Sequence, residues 1–311
     1  MNEQYVIDFL TGKLPYTMEL TILCQAFTGA MAVRGGRNKY GQLHWFHAFV
    51  LSAMTGFSGG LFNFLWMGKP TSMISNDVVF ASVVIAFVSV NYVPFFFQFV
   101  SLLPVKMVIT AWAMLFRSLG LCSFTSNAFN AFKDSPSKYY PVPVFGPIWY
   151  GVMLGNMGGF ALKGVDGHLS GGVPWPFQNG MFCGPFFLFY ALDDKGPIGE
   201  IVRSTIAPLH DFLPDLDHRG FAVFCVGLFM QVIAILQLPL FFGPSFSPFV
   251  LVHKVVNSPL EAALSKEKSI EMQVKNIEST QSKQDDDSGV IKQQSTPAKG
   301  KKNKKGKKKK A

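Results

Sequence analysis

Residues 56–60 read Gly-Phe-Ser-Gly-Gly, and residues 155–159 read Gly-Asn-Met-Gly-Gly. Each copy of this Gly-x-x-Gly-Gly motif lies inside a long apolar stretch, and the second begins 99 residues after the first (155 minus 56). Another shared pattern, Leu-Pro-x-x-Met-x-x-Thr, precedes each copy and begins at Leu14 and at Leu103. Two weak internal copies, each with glycines inside an apolar segment, are typical of channels and transporters built from repeats.

The composition indicates a membrane protein. Only 15% of the 311 residues are charged and 49% are hydrophobic, whereas a soluble domain usually carries about 25% charged residues. Phe alone occurs 32 times, and the mean hydropathy is +0.26 although the end of the chain is very polar. This balance excludes an ordinary soluble domain and favours an all-α, polytopic membrane protein.

Seven apolar stretches approach the roughly 20 residues that a helix needs to cross the bilayer core. They are predicted over residues 15–33, 43–67, 78–100, 103–124, 143–162, 177–192 and 220–242. With three helices in each copy, consecutive copies enter the membrane with opposite polarity. The expected fold therefore has seven transmembrane helices, as an inverted 3+3 repeat plus a seventh helix.

This interpretation divides the chain into five parts. They are a lumenal N-terminal segment (1–13), a first three-helix repeat (14–100), a second three-helix repeat (101–195), a part holding a lumenal loop, the seventh helix and the following segment (196–262), and a disordered, lysine-rich cytosolic tail (263–311). The orientation follows from the excess of Lys and Arg that cytosolic segments carry. The first loop, with Arg34, Arg37 and Lys39, then also lies on the cytosolic side.

The tail accounts for most of the positive charge. From Leu264 to Ala311 there are 14 Lys and 6 acidic residues, a net of +8 out of +9 for the whole chain. The rest of the chain is nearly neutral, so no nucleic-acid partner is expected. The tail has three interpretations: it binds anionic lipid, it displays Lys308 and Lys309 like a dilysine retrieval signal of the endoplasmic reticulum, or it only aids solubility.

A polar stripe marks the fourth predicted helix. Lys106 and Arg117 are 11 residues apart, which is about three helical turns, so they share one face with Thr110 between them. Charged side chains are costly against lipid and usually face a water path, a partner helix or a headgroup. Lys106 lies near the helix end and could instead extend to the interface. We predict that Lys106, Thr110 and Arg117 line a pore or bind lipid.

The motif glycines have two interpretations. They could unwind the second and fifth helices and expose carbonyl groups to ions, or they could allow two helices to pack closely. Their recurrence at matching places favours the first interpretation. We predict helix breaks and pore lining at Gly56, Gly59, Gly60, Gly155, Gly158 and Gly159. No motif of an enzyme and no metal-ligand spacing is found, so neither catalysis nor a metal site is expected.

Taken together, these patterns resemble those of the trimeric intracellular cation (TRIC) channel family. The resemblance covers most of residues 14–262 and depends on the order of several short motifs. They are Phe57-Ser58-Gly59-Gly60 followed by Gly68-Lys69-Pro70, the helix start Leu102-Leu103-Pro104-Val105-Lys106, the pair Gly158-Gly159, the segment Ser258-Pro259-Leu260-Glu261-Ala262, and the terminal lysine cluster.

The resemblance implies a homotrimer with one pore per protomer, conducting monovalent cations, mainly potassium, across the endoplasmic or sarcoplasmic reticulum. The flux would balance charge during calcium release. It also implies a multi-pass protein of that membrane with a cytosolic C-terminus, and a phosphoinositide lipid bound by basic residues near the fourth helix. A small-solute secondary transporter on the same repeat plan stays an alternative, and so does a scaffold that works through its lysine tail.

The fourth helix departs from the family pattern. The lysine and the glutamate of the family's Lys-Glu-Val motif fall on Ala113 and Met114, whereas its arginine falls on Arg117. The basic residue that the family has at the glycine of the fifth helix is also absent, and Asn156 lies close to that place. One cation holds a bisphosphate less tightly than two, so we expect different lipid binding here.

Overall fold

The computed structural model describes residues 3–134, 138–170, 173–237, 241, 255 and 258–259. Within these residues all regular structure is helical and no strand occurs, which confirms the all-α prediction. The helices are α1 (Glu3–Leu10), α2 (Thr17–Gly35), α3 (Trp45–Trp66), α4 (Ser72–Ser75), α5 (Asp77–Tyr92), α6 (Phe96–Ser101), α7 (Leu103–Phe132), α8 (Phe145–Leu169), α9 (Trp175–Phe187), α10 (Pro197–His210) and α11 (His218–Leu236). Residues Leu188–Leu192 continue α9 as a π-helix.

The chain divides into two compact units, Met1–Ser247 and Pro248–Ala311, and all of these helices belong to the first. The predicted tail at 263–311 lies outside the described residues. Among the described helices, α3, α7 and α11 are long and apolar enough to cross a membrane, and α5 is apolar but shorter. Helices also occupy the other predicted stretches, but the count of seven crossings stays a prediction.

The third predicted span, 78–100, is wrong as one continuous helix. Helix α5 ends at Tyr92, and Val93 is extended with φ −80° and ψ 121°. Pro94 follows, and a residue before proline is disfavoured in helical conformation. Phe95 then takes φ 61°, and the short α6 begins after it.

The predicted helix breaks at the glycine motifs are also wrong. Helix α3 runs without interruption through Gly56–Gly60. Helix α8 likewise keeps helical backbone through Gly155–Gly159, and its break comes at Gly164, with φ 75° and ψ 170°. Glycine is the residue that takes this conformation readily. Two of the motif glycines, Gly59 and Gly158, instead serve close helix contact.

The helices pack around two apolar cores. In the first, α2, α3 and α5 contribute buried side chains that include Ile22, Phe57 and Val83. In the second, α7, α9 and α11 contribute others that include Leu121 and Phe221. Helix α8 packs against α3, α7 and α9, and α2 packs against α3, α5 and α7. The two helices that carry the glycine motifs therefore meet at the centre, between the two cores.

A buried carboxylate joins the loop before α8 to the start of α10. Asp193 is fully buried; its Oδ1 accepts a hydrogen bond from the Gly196 N–H at 2.7 Å. Its Oδ2 accepts from the Tyr140 hydroxyl at 2.6 Å and from the Gly199 N–H at 3.2 Å. The Arg203 guanidinium donates to the Asp193 backbone oxygen. Burial, and then the bond to Asp193, raises the pKa of Tyr140.

We expect Asp193→Ala to lower the free energy of unfolding by about 2–4 kcal/mol, because it leaves buried donors without an acceptor. Denaturant unfolding in detergent micelles measures this. Asp194→Ala, at the exposed neighbouring position, is the control and should change it by less than about 0.5 kcal/mol. Equal effects of the two substitutions would contradict a structural role for the Asp193 carboxylate.

The same network predicts a pH effect. Because the folded-state pKa of Tyr140 is raised, its contribution to stability is present below the ordinary phenol value of about 10. It is lost as the pH rises through the raised value. Removing the phenol with Tyr140→Phe should therefore flatten the alkaline decline in stability.

Candidate functional site: the central cavity

Gly59 and Gly158 bring the backbones of α3 and α8 into contact. A methyl group on Gly59 would lie 2.7 Å from the carbonyl carbon of Leu154 on α8, and nearer still to its oxygen. A methyl group on Gly158 would meet the carbonyl of Thr55 on α3 in the same way, 3.3 Å from its carbon. The 99-residue offset relates Gly59 to Gly158 and Thr55 to Leu154, so the two contacts are reciprocal. An approximate two-fold axis between two helices produces reciprocal contacts of this kind.

Helix α2 lies equally close to α3. Gln25, which is 3% exposed, donates from Nε2 to the carbonyl oxygen of Gly56 at 2.7 Å. One turn later, a methyl group on Gly29 would lie 2.6 Å from the carbonyl oxygen of Ser52. Gln25 could not be singled out from the sequence, because an isolated glutamine in an apolar helix carries no spacing signal.

A cavity of about 410 Å³ lies beside the crossing of α3 and α8, and we call it the central cavity. All six motif glycines line it, and Arg117 on α7 and Gln25 on α2 line it too. The structure thus brings together the predicted glycines and the predicted arginine, which are up to 103 residues apart in sequence (159 minus 56). The second interpretation, close packing, accounts for Gly59 and Gly158 within this same arrangement.

Arg117 is half-buried and has no hydrogen bond or ion pair with any described residue. Among the described residues that line the central cavity there is no carboxylate, and His168 is the other titratable side chain. Ala113 and Met114 occupy the two positions where the resemblance implies a lysine and a glutamate. They are 0% and 4% exposed and pack in the protein interior. The charge of Arg117 is therefore uncompensated by the described lining.

Lys106 and Thr110 lie at a different cavity. It measures about 360 Å³ and is lined by both residues together with Thr28, Phe97 and Ser101. Lys106 is exposed and Thr110 is half-buried. The stripe predicted on α7 is thus divided, with Arg117 at the central cavity and its two partners at this second cavity.

The break at Gly164 places a histidine against the central cavity. Beyond it, His168 lies where a methyl group on Gly159 would be, and its ring packs edge-on against Phe160 with centroids 5.0 Å apart. Its Nε2 is buried without a hydrogen-bond partner among the described residues. His168 could not be placed here from the sequence, because its position depends on the conformation of Gly164 rather than on any helical period.

Comparison with solved structures identifies the fold. A structure of a trimeric intracellular cation channel from C. elegans with bound Ca²⁺ superposes with a TM-score of 0.52, at 12% identity, over 77% of this chain and 99% of that chain. The chain has the TRIC channel fold. A structure of such a channel from the same organism in the absence of Ca²⁺ gives a TM-score of 0.49 at 16% identity, over 76% and 97% of the two chains. No protein-family model and no curated protein matches the chain.

The TRIC fold agrees with the resemblance drawn from the glycine motifs and the Leu-Pro-Val-Lys helix start. In this chain the fold places the central cavity where α2, α3, α7 and α8 come together. The lining combines a close glycine contact, neutral oxygen atoms and one cation. Such a lining offers uncharged oxygen ligands and one positive charge to small polar species.

Proposed function

We propose that this protein is a homotrimeric monovalent cation channel of the TRIC type, with one pore per protomer through the central cavity. The observation that carries the proposal is the cavity of about 410 Å³ beside the glycine crossing of α3 and α8, in a chain with the TRIC fold. The trimer and the cation come from the solved structure that shares this fold, which is that of a trimeric intracellular cation channel. No enzymatic role forms part of the proposal.

Potassium is the proposed ion and the endoplasmic or sarcoplasmic reticulum the proposed membrane, with a cytosolic C-terminus. In that place a potassium current would supply the counter-ion flux that balances charge during calcium release. The lining supports a weakly hydrated monovalent ion because, apart from Arg117 and His168, its polar groups are amides and hydroxyls rather than carboxylates. Neutral oxygens can replace part of a potassium hydration shell without holding the ion too tightly to leave.

An anionic phosphoinositide lipid is the proposed partner at the second cavity. Lys106 is exposed there, beside the hydroxyl groups of Thr28, Ser101 and Thr110. Arg34 stacks over Phe97, another lining residue, with 5.9 Å from its guanidinium carbon to the ring centroid. The Lys106 ammonium and the Arg34 guanidinium could hold phosphate oxygens by charge-assisted hydrogen bonds. Ala113 and Met114 add no charge, so the lipid would be held by fewer cations than a Lys-Glu-Val helix offers.

Single-channel recording tests the proposal. The purified full chain is reconstituted into a planar bilayer with a tenfold potassium gradient, and discrete current steps that reverse near the potassium equilibrium potential are expected. Native mass spectrometry of the same preparation should give three copies per particle. Solute-dependent uptake into vesicles without current steps would instead establish the secondary transporter and overturn the channel.

A further inference from the structure

We infer that the central cavity contains a binding site for one partly dehydrated monovalent cation, formed by the side-chain oxygens of Gln25, Thr21 and Thr55. The inference rests on the proposed function and makes it specific, since it names the atoms that contact the ion. All three residues line the central cavity. None of them belongs to the glycine motifs or to the polar stripe of α7.

The Gln25 amide has a fixed orientation. Its Nε2 donates to the Gly56 carbonyl oxygen at 2.7 Å. Turning the amide over would place Oε1 against that carbonyl oxygen, and two acceptors repel each other. Oε1 is therefore the free end of the side chain. Gln25 is 3% exposed, so Oε1 is buried, and it has no hydrogen-bond partner among the described residues. A buried acceptor without a donor is unusual in a folded protein and points to a ligand.

Two threonines line the same cavity. Thr21 lies four residues before Gln25, which places both on one face of α2. Its Oγ1 donates its hydrogen to the Met18 carbonyl at 2.9 Å. Thr55 adjoins Gly56 on α3, and its Oγ1 donates to the Leu51 carbonyl at 2.7 Å. A hydroxyl has a single hydrogen, so each of these oxygens can act toward a further group only as an acceptor.

The resulting surface offers three acceptor oxygens, against the one N–H of the Gln25 amide that the bond to Gly56 leaves over. Such a surface repels anions and suits a cation with oxygen ligands. A divalent ion such as calcium usually takes carboxylates among its ligands, and the described lining of the central cavity has none. The positive charge of Arg117 in the same cavity disfavours a divalent ion further. The chemistry therefore selects a monovalent cation.

Thermal unfolding of the full chain in detergent tests the site without any need for current. Unfolding midpoints are compared in KCl and in N-methyl-D-glucamine chloride at equal ionic strength. A bound ion stabilises the folded state, and above the dissociation constant this stabilisation grows with the logarithm of the ion concentration. We expect a higher midpoint in KCl, rising with potassium concentration, and we expect Gln25→Met to weaken the apparent potassium affinity at least about tenfold.

The chain offers a matched control. Gln231 on α11 also donates from Nε2 to a backbone carbonyl of another helix, that of Ala111 at 2.6 Å, and it does not line the central cavity. Gln231→Met removes the same kind of bond, so its potassium response should equal that of the unmodified chain. Should Gln25→Met fail to fold, Thr21→Val keeps the side-chain shape and is expected to weaken the affinity about threefold to tenfold.

Several outcomes would overturn the inference. One is an equal midpoint in the two salts for the unmodified chain, which means that only water satisfies Oε1. Another is an unchanged potassium response in both Gln25→Met and Thr21→Val. Current without potassium stabilisation would end this inference and leave the channel intact. Potassium stabilisation without current would leave the site intact and end the channel.

A thallium-soaked crystal should show an anomalous peak within about 3.5 Å of Gln25 Oε1.

Discussion

Gly59→Ala is expected to lower the free energy of unfolding by about 2–3 kcal/mol, the range of costs for overpacking a tight contact. The added methyl group would overlap the Leu154 carbonyl oxygen, which belongs to the backbone of α8. A side chain could rotate away, but a helix backbone can only move as a unit. Gly158→Ala should act in the same way from the other helix, against Thr55.

The sign of the effect makes this prediction decisive. Replacing glycine by alanine inside a helix normally stabilises it by up to about 1 kcal/mol. Gly56→Ala is the matched control in the same motif, because its methyl group would be 3.4 Å from the nearest atom, the Gln25 carbonyl oxygen, which is an ordinary contact. We expect Gly56→Ala to be neutral or stabilising. Unfolding in micelles by denaturant measures all three variants.

The reciprocal contact also predicts how the two substitutions combine. Once one methyl group has moved α3 away from α8, the second meets less resistance, so the double variant should lose less than the sum of the single losses. The coupling should be about 0.5–1.5 kcal/mol, as for neighbouring sites that share one displacement. Equal effects of Gly56→Ala and Gly59→Ala, or strict additivity, would show that α3 and α8 are not in backbone contact there.

The glycine motifs show how far the sequence could predict this site. Their recurrence indicated two helices with glycines at matching places. It could not say whether the glycines unwind the helices or let them approach, because both uses need a residue without a side chain. The deciding fact is the backbone of the other helix 2.7 Å from the place of a Gly59 methyl group. That is a long-range contact, which one apolar segment alone does not encode.

The break in α8 has a similar explanation. Gly164 is one of many glycines in this part of the chain, and only its φ of 75° distinguishes it. The position of His168 follows from that angle, so helical periodicity could not have placed it beside Gly159. Gln25 was missed for another reason: its partner, the Gly56 carbonyl, is 31 residues away.

The polar stripe on α7 was only partly predictable. The period of the helix puts Lys106 and Arg117 on one face. Helix α2 packs along α7, however, so the two ends of that face line different cavities. The first half of α2 lines the central cavity beside Arg117, and its second half lines the second cavity beside Lys106. One sequence pattern therefore serves two places in the fold.

This separation leads to the prediction with the largest expected effect on current. Arg117→Gln should raise the unitary potassium conductance several-fold and shift the permeability ratio toward cations. At a distance of about 8 Å and an effective dielectric constant near 20, a unit charge opposes a cation by about 2 kcal/mol. That energy corresponds to a roughly 30-fold change in local cation occupancy. The change in current should be smaller, because other barriers along the pore also limit permeation.

Two variants separate charge from shape and position. Arg117→Lys keeps the charge and should stay near the unmodified conductance, whereas Lys106→Ala should change it little, because Lys106 is exposed at the second cavity and its field is screened by salt. Recordings in bilayers with and without phosphoinositide give the second readout. If anionic lipid neutralises Arg117, the conductance of the unmodified chain rises with the lipid, and that of Arg117→Gln does not.

The pattern across these four recordings assigns the arginine. An effect of Arg117→Gln that matches that of Arg117→Lys would show that its shape rather than its charge matters. Equal and negligible effects of Arg117→Gln and Lys106→Ala would place the ion path outside the central cavity altogether. A large effect confined to Arg117→Gln is the result expected from a half-buried guanidinium that no described carboxylate compensates. In that case the cation crosses the cavity along the neutral oxygens of α2 and α3, and the positive charge on α7 limits how often a cation occupies it.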